Sequence, residues 1–354
     1  MTTLEQLRQS EFSRLDRARH VYLDYTGSGL YAESQIRRHS QWLLENVLGN
    51  PHSENPTSSL STEAVEACRR KILAFFKADP REYEVVFTAN ASQALKLVGE
   101  SYPFRPGATF LLTFDNHNSV NGIREYDRAR GATTRYLPLT LPELRVDEAL
   151  LEDYLEERDS NLDNLFAYPA QSNFSGVRHP LTWIEKAQQH GWDVLLDAAA
   201  FVPTAALDLS RWHPDYVALS FYKMFGYPTG VGALVARKAA LAKLHRPWFA
   251  GGTIRMASVQ SDRYLPAAVP AAFEDGTLDF SNIPAVTLGL ELLEKVSYQQ
   301  LGGHIHQLTG WLLDHLTQLQ HPNGNPVVRI YGPTTTEARG GTIALNFLAP
   351  DGTQ

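Results

Sequence analysis

The fold is decided by the stretch 194–226, in which Val194-Leu195-Leu196-Asp197 and Tyr216-Val217-Ala218-Leu219-Ser220 are short apolar runs that end in polar residues. Runs of this length and composition predict strands that are buried on both faces. Similar runs alternate with helical patterns from about residue 80 to residue 240, which is typical of a doubly wound α/β domain built on a mostly parallel sheet. The seven predicted strands span residues 84–88, 109–114, 134–137, 164–168, 194–197, 216–220 and 231–235.

Helical patterns flank the predicted sheet on both sides in the sequence. Residues 62–76 place Ala64, Cys68 and Ile72 on one apolar face, and Ser61 is the expected N-cap. Further helices are predicted over 284–295 and 303–319, followed by a turn and two short strands at 327–331 and 342–347. We therefore expect a large domain over 31–297 and a small α+β domain made from 1–30 and 298–354. The small domain is interpreted as truncated at its C-terminus, because no helix follows to cover its strand pair.

Composition limits the classes of function. The chain has 354 residues, of which 43% are hydrophobic and 20% charged, and its net charge of −7 is not concentrated in one segment. These values indicate a folded globular protein and argue against nucleic acid as a partner. The single cysteine excludes an intrachain disulfide and any site with several cysteine ligands. Because the N-terminus lacks a signal-peptide core and no apolar run could span a bilayer, we expect a cytoplasmic protein that does not contact a membrane.

Polar residues follow several of the predicted strands, at the edge of a parallel sheet where ligands bind. Asn90-Ala91-Ser92 follows the first strand and opens a helix, which makes it either a seat for a phosphate or a simple N-cap. His117 follows the second strand and Asn173 follows the fourth. A lone His or Asn after a strand is usually a loop or cap residue, so neither residue identifies a site by itself.

Asp197 and Lys223 carry the strongest chemical signal. Asp197 ends an apolar strand and is followed by three alanines, so it is either a helix N-cap or a buried acid that needs a charged partner. Lys223 lies in the uncharged stretch 220–226, where desolvation favours the neutral, nucleophilic amine unless the ammonium reaches water. A lysine for an aldehyde, an acid for a ring nitrogen and an anion seat together are what pyridoxal 5'-phosphate (PLP) requires.

The same residues carry a family resemblance that extends over almost the whole chain. The sequence resembles the class V aminotransferase family of fold-type I PLP enzymes, and within it the cysteine-desulfurase-like domain of molybdenum cofactor sulfurases. The motifs that carry the resemblance span residues 21–27, 49–53, 87–92, 115–120, 196–200, 220–226 and 273–277. The resemblance implies the fold-type I architecture and PLP as cofactor.

By this resemblance, Lys223 is the lysine that holds the cofactor and Asp197 pairs with its ring nitrogen. His117 would stack on the ring and shuttle protons, and Asn173 would bind the ring hydroxyl. The phosphate would be bound by Ala91, Ser92, Ser220 and Tyr222.

The resemblance also implies an assembly and a reaction. Gly276 and Thr277 match a pair that completes the phosphate site of the neighbouring subunit, which implies a homodimer. The implied function is mobilisation of sulfur from L-cysteine, with an amino-acid substrate and a protein or cofactor as sulfur acceptor. Two alternatives stay open, namely another class V reaction (aminotransferase, epimerase or selenocysteine lyase-like) and a catalytically silent PLP-binding domain.

Several positions depart from the family pattern. Related cysteine desulfurases have Gln at the position of Ala200 and His at that of Tyr222, and their sulfur-accepting cysteine and carboxylate-binding arginine would follow Phe347. Cys68 lies on the apolar face of a predicted helix and is interpreted as a core residue. We therefore expect the 354-residue chain to bind PLP without releasing sulfur from cysteine. Three histidines that could suggest a metal are interpreted as helix-surface residues: His304, His306 and His315.

Overall fold

The computed structural model describes residues 3–354, and the chain divides into two compact units. The first unit comprises Met1–Pro103 and Leu207–Val296, and the second comprises Phe104–Ala206 and Ser297–Gln354. The sequence-based division into 31–297 and 1–30 with 298–354 stays a prediction.

The elements alternate between helix and strand through the middle of the chain. The helices are α1 (Leu4–Glu11), α2 (Arg14–Arg17), α3 (Glu33–Glu45), α4 (Pro56–Phe75), α5 (Ala91–Ser101), α6 (Asn118–Asn121), α7 (Arg124–Ala129), α8 (Glu148–Glu156), α9 (Thr182–Gln189), α10 (Phe221–Phe225), α11 (Lys238–Leu241), α12 (Ala285–Val296) and α13 (Tyr298–Gln318). The strands are β1 (Tyr83–Thr88), β2 (Thr109–Thr113), β3 (Thr133–Leu137), β4 (Leu165–Pro169), β5 (Asp193–Asp197), β6 (Tyr216–Ser220), β7 (Gly232–Arg237), β8 (Ile254–Ala257), β9 (Tyr264–Pro266), β10 (Val328–Tyr331) and β11 (Ala344–Phe347).

Seven strands form the main sheet, in the order β1-β7-β6-β5-β4-β2-β3. In the first unit, β7 pairs antiparallel with both β1 and β6. In the second unit, β4 pairs parallel with β5 and β2, and β2 pairs parallel with β3. The predicted α/β fold with a mostly parallel seven-stranded sheet is thus confirmed, and each predicted strand ends within two residues of the observed one. The predicted strand pair near the C-terminus is also present, as the antiparallel pair β10 and β11.

The start of α4 corrects one prediction. The helix begins at Pro56 rather than at residue 62, and its N-cap is Asn55, whose side chain accepts a hydrogen bond from the Ser58 N–H at 3.0 Å. Ser61 is therefore a buried residue inside the helix and not its cap; its Oγ accepts from the Gly49 N–H at 3.2 Å. The sequence signal for the true start is the pair Asn55-Pro56, since proline favours the first helical position.

The β8–β9 hairpin was missed by the sequence analysis. Its residues are largely exposed, so the sequence shows no alternation of buried and exposed positions. Within residues 3–354, no helix combines the length and the apolar character needed to cross a membrane.

Candidate active site

The loop between β1 and α5 forms a possible anion seat in the first unit. Asn90 is extended and caps α5 by accepting a hydrogen bond from the Gln93 N–H at 3.0 Å. The Ala91 N–H donates to the Oγ of buried Ser220 at 2.8 Å, so the start of α5 is joined to the end of β6. α5 has eleven residues, and its N-terminus carries the partial positive charge that favours an anion. The predicted helix start and the proximity of Ala91 to Ser220 are both present.

Gly232 allows this close approach. It is paired with Thr88 on β1 and with Ser220 on β6. A Cβ at position 232 would lie 2.5 Å from the Cα of Asn90, a distance that real Cβ contacts do not reach. The start of β7 can therefore carry only glycine while the loop keeps this position.

Lys223 lies on the short helix α10, directly after β6. The helix ends at Gly226 with φ +76°, where a Cβ would overlap the backbone of Leu30 and Tyr31. The Gly29 N–H donates to the carbonyl of Tyr222 at 3.1 Å, so the segment around Gly29 packs on α10. Lys223 is half-buried, and in residues 3–354 its ammonium makes no hydrogen bond or ion pair. The amine is thus held on a fixed turn and is available to a ligand.

His117 caps α6 in the second unit. Its Nδ1 accepts a hydrogen bond from the Ser119 N–H at 3.1 Å. An accepting Nδ1 carries no proton, so the neutral ring has its proton on Nε2. The ring is exposed, and the nitrogen that it offers to a ligand is therefore an N–H donor.

The loop that carries His117 is fixed by its two preceding residues. The Asn116 amide donates to the Ala167 carbonyl on β4 at 3.1 Å and to the Thr113 carbonyl at 3.0 Å. The buried Asp115 carboxylate lies 2.8 Å from His179 Nε2. Burial by itself raises the pKa of Asp115, but the charge and hydrogen bond of His179 hold that pKa below its ordinary value. The sequence analysis missed His179, because nothing in the pattern around it distinguishes it from a loop histidine.

Asn173 lies at the tip of a tight turn between β4 and α9. The turn is closed by the Ser172 N–H, which donates to the Val177 carbonyl at 2.8 Å, and by Gly176 with φ +76°. Asn173 is half-buried, and its side-chain amide makes no hydrogen bond with any residue from 3 to 354. The structure therefore presents this amide on a rigid turn, as a ligand for a hydroxyl or a ring would require.

Asp197 ends β5 and is 7% exposed. Its Oδ1 accepts a hydrogen bond from the Ala199 N–H at 3.0 Å, and its carbonyl accepts from the Ala170 N–H at 2.9 Å. The sequence left two interpretations of Asp197 open, a cap or a buried acid, and the structure shows both features: the side chain is buried and it also caps the turn that follows. The loop of Ala170 leads directly to Asn173, so the structure brings these two predicted residues into connected segments of the second unit.

Gly276 and Thr277 lie in the first unit, on a loop that also meets two other motifs. The Gly276 N–H donates to the Gly251 carbonyl at 2.9 Å, and the Asn50 amide lies 3.5 Å from the Thr277 hydroxyl. Thr277 is exposed. The motifs at 49–53 and 273–277 therefore belong, with the turn at Gly251, to one cluster of loops.

A buried ion pair anchors that loop. Arg69 on α4 lies 2.9 Å from Glu274, and both side chains are almost fully buried. Glu274 also accepts a hydrogen bond from the Phe87 N–H at 2.8 Å, which joins the loop to β1. Arg69 was not predicted from the sequence, where it reads as a charged residue on the outside of a helix.

Cys68 is a core residue, as predicted. It is fully buried on α4, and its thiol donates to the carbonyl of Ile283 at 3.2 Å. Burial raises the pKa of Cys68 to about 12. The three histidines of the C-terminal region, His304, His306 and His315, are exposed on α13.

A comparison with models of protein families shows which family this chain belongs to. The model of the family described as aminotransferase class-V matches residues 21–352, which is nearly the whole chain. The chain belongs to the class-V aminotransferase family. The resemblance predicted from the motifs is therefore confirmed.

Molybdenum cofactor sulfurases are among the curated proteins that are similar to this chain. The human protein is 40% identical over 372 residues, which cover 99% of this chain and 41% of the relative. The protein of Arabidopsis thaliana is 35% identical over 387 residues, which cover 99% of this chain and 47% of the relative. The chain thus spans less than half the length of these relatives.

Solved structures of class-V cysteine desulfurases share the fold. The apo cysteine desulfurase of Thermococcus onnurineus NA1 superposes with a TM-score of 0.84 at 23% identity, covering 98% of this chain and 82% of that one. The cysteine desulfurase CsdA of Escherichia coli gives a TM-score of 0.78 at 21% identity, covering 97% of this chain and 82% of that one. At these identities the likeness establishes the fold-type I architecture.

Proposed function

We propose that this chain is a PLP-dependent enzyme of the cysteine-desulfurase type, which mobilises sulfur from L-cysteine. The observation that carries the proposal is Lys223, an amine held half-buried on α10 with no hydrogen bond or ion pair among residues 3–354. Similarity to the sulfurases over 99% of the chain supports the sulfur chemistry.

The donor groups of the chain fit PLP one by one. Ala91, Ser92 and Ser220 are at the start of α5 and the end of β6, where a helix N-terminus suits the phosphate. Tyr222, next to the lysine, has a hydroxyl that can donate a hydrogen bond, and we assign it to the phosphate. Lys223 suits the aldehyde, and when bound there PLP would supply an electron sink for negative charge on the substrate.

Three residues of the second unit suit the ring. Asp197 is a buried acid that can hold the proton on a ring nitrogen. Asn173 offers an amide that is not otherwise engaged, for the ring hydroxyl. His117 presents a flat ring with its proton on Nε2, so it can stack and can donate a proton at that atom.

Cys68 is unsuited to accept sulfur from the substrate. Sulfur transfer to a protein requires an accessible thiolate, and the one cysteine of this sequence is buried with a raised pKa. We therefore propose that Cys68 is not the sulfur acceptor and that an accessible thiol other than Cys68 takes the substrate sulfur.

The buried cysteine also favours a second candidate. A class V reaction on an amino acid that needs no protein thiol, such as transamination, epimerisation or selenocysteine cleavage, would use the same lysine and acid. A domain that binds PLP without turnover is the non-enzymatic form of this alternative.

One set of measurements tests the proposal. The purified protein is expected to show the visible absorbance band of lysine-bound PLP, and Lys223→Ala should remove it. Lys186→Ala changes a surface lysine that pairs with Glu152 and is the matched control. A band that survives Lys223→Ala unchanged would contradict the assignment.

The same preparation separates the candidates. L-cysteine with added dithiothreitol should yield alanine and sulfide, because one thiol of the reagent takes the substrate sulfur as a persulfide and its second thiol releases sulfide as the reagent closes to its disulfide. Transamination or racemisation of other amino acids, or spectral change without any product, would instead support the second candidate.

We also propose that the protein is a cytoplasmic homodimer. Thr277 supports the dimer because it is exposed on an anchored loop. A residue that contacts the phosphate of a neighbouring subunit must be exposed on its own subunit. A monomer by sedimentation that holds one PLP per chain would contradict it.

A further inference from the structure

His179 lies at the junction of the loops that carry the predicted ring-binding residues of the second unit. We propose that His179, paired with Asp115, is a positioning residue that holds the His117 loop, the Asn173 turn and the end of β5 in one arrangement for the cofactor ring. This inference rests on the proposed function, because it assigns a role in PLP binding. Neither Asp115 nor His179 is among the residues predicted to contact the cofactor.

The side-chain pair is buried and close. His179 Nε2 lies 2.8 Å from Asp115 Oδ2, and the two side chains are 2% and 4% exposed. The imidazole also stacks on Trp183, with ring centroids 5.0 Å apart and an interplanar angle of 29°. The ring thus has packing on one side and a carboxylate at its edge, which together fix its orientation.

The pair connects two loops that are far apart in the sequence. Asp115 lies two residues before His117, and His179 ends the turn that has Asn173 at its tip. Asn116, between Asp115 and His117, ties its loop to β4 instead. The Asp115–His179 bond therefore joins the two loops directly.

The backbone of His179 extends the connection to Asp197. Its N–H donates to the Ala170 carbonyl at 3.2 Å, and the Ala170 N–H donates to the Asp197 carbonyl at 2.9 Å. His179 is thus linked by its side chain to the His117 loop and by its backbone to the end of β5. A shift of this residue would be passed to all three predicted ring-binding side chains.

The chemistry of the pair makes it stiff. With His179 beside it, the Asp115 carboxylate stays ionised despite its burial, so the contact is a charge-assisted hydrogen bond. Such bonds are shorter and stronger than neutral ones, and a buried one resists rearrangement because its partners have no water to replace them.

The test measures PLP affinity of the cofactor-stripped full chain and the circular dichroism of the visible band after PLP is added back. His179→Phe fills the stacking position but removes the hydrogen bond, and we expect PLP affinity to fall about 10–100-fold with an altered visible dichroism, which reports ring orientation. His179→Gln keeps an N–H donor and should restore most of both signals. Glu152→Gln, which changes a half-buried carboxylate–histidine pair elsewhere in the same unit, should behave as wild type.

A second variant removes the same hydrogen bond from the other side, so that the test does not depend on the folding of His179→Phe alone. Asp115→Leu removes the partner while His179 can remain neutral, and it should lower PLP affinity as His179→Phe does. The double variant should lose no more than either single one, because both remove the same bond. If the single variants keep wild-type affinity and dichroism, the inference is wrong. If wild-type chain shows no visible band with PLP, the proposed function itself fails.

Discussion

The reactivity of Cys68 tests directly whether this chain contains a sulfur-accepting thiol. Burial raises the pKa of this thiol from an ordinary 9.0 to about 12. At pH 8 the thiolate fraction then falls from about one tenth to about one ten-thousandth, so attack on a disulfide reagent should slow about a thousandfold before any steric barrier is counted. Native protein mixed with a chromogenic aromatic disulfide should therefore release almost no chromophore over minutes, and the same protein in urea should release one equivalent.

Stoichiometric labelling of the native chain within minutes at pH 8 would refute this reasoning. The raised pKa also has a consequence for stability, because the folded state favours the protonated thiol. Its contribution is fully present below about pH 9 and is lost as the pH rises toward about 12. Cys68→Ser, whose hydroxyl can still donate to the Ile283 carbonyl, is the matched variant for sulfur-release assays.

Two further predictions concern buried acids. Glu274→Ala should lower the free energy of unfolding of the first unit by about 3–5 kcal/mol, because it leaves Arg69 buried without its principal partner; urea denaturation measures this, and a loss under about 1 kcal/mol would show that the pair contributes little. Asp197→Ala should weaken PLP binding by about 1.5–3 kcal/mol and abolish turnover, since the acid supplies a charge-assisted hydrogen bond; near-normal turnover would show that Asp197 serves only as a cap.

The sheet could be predicted from the sequence because its strands are buried on both faces. A strand such as β6 is a run of buried, mostly apolar residues that ends in Ser220, and its predicted bounds match the observed ones. The β8–β9 hairpin lacks that signal because its side chains face solvent. The start of α4 was misplaced because Ser61 has the composition of a cap, while the capping hydrogen bond comes from Asn55.

The residues of the candidate site also differ in whether the sequence predicts them. Lys223, Asp197 and Asn173 could be proposed because each lies at or shortly after the end of a predicted strand, and sequence order alone then assigns them to the edge of the sheet. Arg69 and His179 could not, because their roles come from partners that are 205 and 64 positions away in the chain. Such pairings depend on tertiary packing, to which no local pattern corresponds.

The reversed direction of β7 has a consequence for how this family can vary. Because β7 runs opposite to β1 and β6, its first residue meets their last residues, and Gly232 stands between Thr88 and Ser220. At position 232 the anion seat is therefore bordered by backbone atoms alone, and no side chain at this position can change its shape or charge. Side-chain differences at this edge of the sheet must therefore arise at the starts of α5 and α10, which carry Ser92 and Tyr222, while the first residue of β7 contributes only its backbone.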